Sequence, residues 1–196
     1  MQSFIPLRPA ALLFMLPLLL MWWGCEKDPA SPEEDNEQEL ITKVVLTLTE
    51  SGSGSTVTAT YNDPDGPGGM APTIGSLTVK AGSTYAGTIE VFDETKTPAV
   101  NLTDEIKEEA DAHQFFYTPQ GELAGRLVVT ITDKDSKNLP LGLVFHVTVT
   151  AGPPVTGSAT NSLNVVLSHY DKDTKNGRDR SDESDIDINV PVGIVN

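Results

Sequence analysis

Apolar residues recur at every second position through most of residues 40–192, and that period builds strands rather than helices. Leu40, Val44, Leu46 and Leu48 point one way, with Lys43, Thr47 and Thr49 opposite. Val57, Ala59 and Tyr61 repeat the pattern after the turn Ser51-Gly-Ser-Gly54, and Asn62-Asp-Pro-Asp-Gly-Pro-Gly-Gly69 makes a breaker-rich loop. Further strands are expected at 74–79, 85–93, 126–132, 141–150, 159–170 and 185–192. Their inward sets are Ile89/Val91, Leu127/Val129/Ile131, Leu143/Phe145/Val147/Val149, Leu163/Val165/Leu167 and Ile186/Ile188/Val190. Eight such strands predict a mainly β domain over 41–196, an immunoglobulin-like antiparallel β-sandwich. The period breaks once. Thr103 to Gln114 is rich in helix formers and acidic at its start, which predicts one short helix near 103–112 running into Phe115-Phe-Tyr117.

The chain before this domain differs in kind. Residues 1–25 hold one cation, Arg8, and no acid, and Ala10 to Trp23 is an uncharged apolar run. A bilayer span needs about 20 apolar residues. The shorter run behind a basic flank fits a secretory signal, with Pro17 opposing a core helix. Trp22-Trp23-Gly24-Cys25 resembles the lipobox of bacterial lipoproteins, in which a small residue precedes a cysteine that is cleaved at and lipidated. That resemblance implies a lipoprotein signal peptide over 1–24 and lipidation of Cys25, the single cysteine. Residues 25–40 follow as an acidic tether: seven acids against Lys27, two prolines and no aromatic cannot bury enough surface to order themselves. Cys25-Glu26-Lys27-Asp28 also looks like the acidic tags that route some Gram-negative lipoproteins to the outer cell face.

Charge and composition exclude several functions. The net charge of −15 opposes nucleic-acid binding, which needs clustered Lys and Arg. One cysteine rules out an intrachain disulfide or a multi-cysteine metal site. No nucleophile elbow, P-loop, H-E-x-x-H pair or dinucleotide fingerprint occurs, so the chain reads as a non-enzyme. Both tryptophans fall in the signal, which removes the strongest aromatic platform for a glycan.

Three histidines remain to be placed. His146 alternates with inward Phe145 and Val147 and is expected in solvent. His113 follows Glu109 by four residues, the spacing of one helix face, and His169 ends a strand just before Asp171. If helix and strand end meet, Glu109, His113, His169 and Asp171 make a mixed N/O site for a divalent metal. The plainer alternative is a capped helix beside a strand-end histidine bonded locally. Asp171 to Asp179 fails as an EF-hand, because Lys175 stands at a ligand position and Gly177 is one residue late, and it reads instead as a polar turn between two strands. Asp63-Pro-Asp-Gly66 and Asp133-Lys-Asp135 read as turns in which aspartate caps its own backbone.

Ile41 to Thr49, Asp63 to Gly66, Thr103 to Tyr117 and Ser184 to Ile188 resemble a group of small Gram-negative surface lipoproteins. Members are similar to partners of TonB-dependent outer-membrane transporters and carry no assigned biochemical function. The resemblance implies a lipid-anchored protein of the outer membrane facing the cell surface. The expected function is non-enzymatic ligand binding or assistance to such a transporter, with a metal ion, haem or small chelate as cargo. The alternative is a structural or adhesive sandwich contacting another protein.

Overall fold

The computed structural model describes residues 38–171 and 174–196, and the expected signal peptide, Cys25 and most of the tether lie outside them. The alternating segments become β1 (Lys43–Glu50), β2 (Thr56–Asn62), β3 (Thr73–Ile74), β4 (Leu77–Lys80), β5 (Thr84–Asp93) and β6 (Val100–Asn101). After helix α1 (Thr103–Glu108) come β7 (His113–Pro119), β8 (Leu127–Ile131), β9 (Val144–Val149), β10 (Ser162–His169) and β11 (Glu183–Val195). One sheet runs β3-β2-β1-β5-β9-β8, with β6 also on β5, and the other runs β4-β11-β10-β7. Pairings are antiparallel except β4 with β11. The chain is thus mainly β, a two-sheet sandwich with one short helix. Among the described residues no helix is long and apolar enough to cross a membrane.

The two inner faces share one core, because alternation sends Leu46, Ile89, Phe145, Val165, Leu167 and Ile188 inward from both sheets. Gly87 stands opposite Phe145, and a Cβ there would lie 2.2 Å from the Phe145 ring. A side chain at 87 would therefore displace the largest group of that layer.

Three expectations need correcting. Segment 74–79 splits at Gly75-Ser76 into β3, which joins the first sheet, and β4, which joins the second. Leu40 is 42% exposed, since the Ile41 N–H turns back to the Glu39 carbonyl and sends Ile41 inward instead. The helix ends at Glu108, short of residue 112. His113 to Tyr117 is β-favouring, and pairing with β10 over Leu163 to His169 outweighs the local helix preference.

The hairpin between β10 and β11 is no plain turn. Arg180 Nη2 donates to Asn164 Oδ1 (2.9 Å) and Thr118 Oγ1 (3.1 Å), with its guanidinium over Phe116. Lys175 Nζ reaches the Ala110 carbonyl (2.7 Å) and Asp135 Oδ2 (2.9 Å). These contacts help to cover the outer face of β10, so every residue of that strand is buried.

Candidate metal centre

His113 opens β7 and His169 closes β10, and the two are direct partners in the antiparallel ladder. Directly opposed residues share a face with Cβ atoms roughly 5 Å apart. That face is the inner one, because Phe115 and Leu167, two positions along, sit in the core. The imidazole centroids are 4.6 Å apart. Two histidines at one end of one sheet thus point into the domain rather than to solvent.

Asp185 arrives through a β-bulge. Leu167 pairs with Ile186 but Ser168 pairs with Ser184, so Asp185 is the extra residue on β11. Strict alternation would turn Asp185 outward beside inward Ile186. The bulge breaks the alternation, and the Asp185 carboxylate is fully buried against His169. Glu39 supplies the fourth group from the lead-in to β1. Its own N–H donates to Asp185 Oδ1 (3.3 Å), and its side chain is 7% exposed.

The resulting histidine–carboxylate distances are short. His113 Nε2 lies 3.0 Å from Glu39 Oε1 and 3.6 Å from Asp185 Oδ2. His169 Nδ1 lies 3.3 Å from Glu39 Oε2 and 3.2 Å from Asp185 Oδ1. Ligand atoms of all four residues fall within 4.8 Å of one another. Donors about 2.1 Å from a tetrahedral Zn²⁺ stand about 3.4 Å apart, so the histidine–carboxylate separations of 3.0–3.6 Å, each carboxylate meeting the two histidines through different oxygens, are close to those around a common ion. Three of the atoms, His113 Nε2, Glu39 Oε2 and Asp185 Oδ2, are buried without an aligned hydrogen bond despite this closeness. Ligand atoms behave this way when their lone pairs aim at a shared centre instead of at each other. His169 Nε2, on the far side of its ring, is also buried without a partner.

The orientation of His113 is fixed from behind. Its Nδ1 lies 3.1 Å from the Glu109 carbonyl oxygen, which can only accept, so Nδ1 carries the proton. In the neutral ring this leaves the Nε2 lone pair facing the carboxylates, the usual support for a metal-bound histidine.

Protons hold the site together when no cation does. Burial pushes the Asp185 carboxyl up to about 6, helped by the charge of Glu39 and opposed by His169. Burial alone would raise Glu39 and lower His113, but their mutual contact and charge reverse both. Glu39 falls below its ordinary value and His113 rises above its own. Two carboxylates and two neutral imidazoles carry a charge of −2, which one divalent cation cancels.

Of the expected ligands, the structure joins His113 and His169 and omits the other two. Glu109 is exposed at the end of α1 and offers His113 its carbonyl rather than its carboxylate. The i,i+4 helical pairing fails because His113 is already in a strand. Asp171 is exposed two residues beyond the end of β10, its carbonyl accepting from Thr174. Asp185 and Glu39 take their places. Neither was marked by local pattern: Asp185 needs the bulge, and Glu39 belongs to a stretch with the composition of a tether. His146 is exposed on β9, as alternation predicts.

Asp135 caps a local turn, as expected, whereas Asp133 ties to backbone nine and ten residues along the chain. Asp133 accepts from the N–H groups of Gly142 and Leu143, and Asp135 from those of Lys137 and Leu139. They also line an open groove of about 950 Å³ beside α1, whose lining includes Ala110 and Asp111 but none of the four ligands. The same bonds and Lys175 occupy their carboxylates, so the groove offers weaker chemistry than the histidine centre. No family model, curated protein or solved structure matches this chain.

Proposed function

We propose that this protein is a lipid-anchored, non-enzymatic metal-binding protein of the cell surface, with Glu39, His113, His169 and Asp185 as its ligands. The convergence of four buried donors at 3.0–3.6 Å carries this reading. Two imidazoles and two carboxylates suit zinc and its first-row neighbours, whereas calcium and magnesium prefer six or more oxygens. The two imidazole centroids are 4.6 Å apart with both carboxylates against them, which leaves no room for a macrocycle and favours a bare ion over haem. Catalytic zinc keeps a position open to water and substrate. Here the side chains of the two histidines and Asp185 are at most 1% exposed and all four positions are filled, which supports binding rather than chemistry. Residues 1–40 and the resemblance to surface lipoproteins support the lipid anchor at Cys25. They also support the role of accessory to a TonB-dependent outer-membrane transporter. Zinc added to the metal-stripped chain and followed by native mass spectrometry tests the centre. One ion per chain, lost in His113→Ala and in His169→Ala, is expected. Binding that is absent, or unchanged in both variants, would overturn the reading.

A further inference from the structure

We infer that Glu39 is the closing ligand of this centre, and that metal enters and leaves by the lifting of residues 38–40. The inference rests on the metal-binding reading above and adds the route and the gate. Three ligands are held by one sheet: His113 and His169 face each other across β7 and β10, and the β11 bulge fixes Asp185 beside them. Two histidines and one carboxylate already form a three-point platform for a transition metal. Those three side chains are sealed, and strand pairing leaves them little freedom to move.

Glu39 is held differently. It precedes β1, which belongs to the opposite sheet. Its neighbours Gln38 and Leu40 are exposed, and Ile41 is the first residue of the lead-in to pack in the core. Apart from Leu40 Cδ1, which lies beside Gly66, residues 38–40 are tied to the rest of the domain by Glu39. Its Oε1 and Oε2 approach the two histidines, and its N–H donates to Asp185. Every one of those contacts is with a ligand of the centre. Without a cation, the docked Glu39 is held only by its N–H on Asp185 and its approach to the two histidines. A divalent ion between the carboxylates adds direct coordination to those contacts and strengthens the docking. Docking of residues 38–40 and occupancy of the centre thus favour each other, as linkage requires. The segment that lifts is also the one that leads back toward Cys25, so loading is felt at the root of the tether.

Two measurements on the full chain test this. In the first, zinc release to an excess of a colorimetric chelator is followed by stopped flow. Glu39→Ala should still bind one zinc by native mass spectrometry but release it at least about 10 times faster, since losing a ligand costs no less than the roughly 10–100-fold lost with an outer-shell partner. In the second, hydrogen exchange of the wild-type chain is compared with and without zinc. The amides of Glu39 and Ile41 should slow by at least about tenfold on loading, while those of central β10 change little. An unchanged release rate in Glu39→Ala would overturn the gate, as would equal exchange at Glu39 and Ile41 in a chain shown to hold zinc. A chain that binds no zinc would instead overturn the metal-binding reading on which the gate rests.

Discussion

Stripping the metal should lower the thermal stability of this domain by a predictable amount. The four ligands stand at positions 39, 113, 169 and 185, and the nearest two are 16 residues apart in sequence. No pair forms a local chelate, so the unfolded chain has no comparable site and nearly all the binding free energy becomes folding free energy. At free zinc a thousandfold above the dissociation constant, the linkage is worth about 4.1 kcal/mol. In a domain of roughly 160 residues each kcal/mol moves Tm by about 2–4 °C, so chelation should cost roughly 8–16 °C. The metal-free protein should still unfold cooperatively, because the shared core of the two sheets does not pass through the centre. Calorimetry at fixed protein concentration, with zinc and then with excess chelator, reads the shift directly. A change below about 2 °C, or an equal change in a His113→Ala/His169→Ala double variant, would refute the reasoning.

Three further outcomes are expected. Gly87→Ala should destabilise the fold by about 1–3 kcal/mol, since the new methyl meets the Phe145 ring; an unchanged urea midpoint would contradict this. Glu50 accepts from Lys80 (2.8 Å), Ser53 (2.6 Å) and Ser83 (2.9 Å), contacts that hold its carboxyl down to about 2. A depressed carboxylate contributes stability above its unfolded value and loses it as pH falls through the folded one. The Glu50 contribution should therefore fade between about pH 4.5 and 2, and Glu50→Gln should flatten that part of the stability profile. If the profiles of the two proteins fall in parallel, the Glu50 network is not responsible. Cys25→Ser should shift the protein from the membrane to the soluble fraction, because stable anchoring depends on the acyl chains that the cysteine would carry. Retention in the membrane pellet would remove the lipid-anchor proposal.

The strands were legible because burial on one face imposes period two, and the inward sets of β5, β9, β10 and β11 follow from that period alone. The helix was legible in place but not in length, since residues 109–112 turn to bring His113 into its pairing with β10. At the centre, the histidines were legible as residue types near element ends, but their meeting depends on a ladder register that spans 56 residues. Asp185 was hidden because a bulge inverts the very alternation used to assign faces. Glu39 was hidden because composition places it with the tether, whereas its docking is decided by ligands far along the chain. Local pattern reports what a segment prefers; this site is made where long-range pairing overrides that preference.

The most direct test is a diffraction experiment at the zinc absorption edge on crystals of the protein grown with zinc. The account predicts one strong anomalous peak among the four side chains, about 2.1 Å from His113 Nε2 and His169 Nδ1 and within bonding distance of the Glu39 and Asp185 carboxylates. A map with no peak there, or with zinc only on exposed residues such as His146, would contradict it.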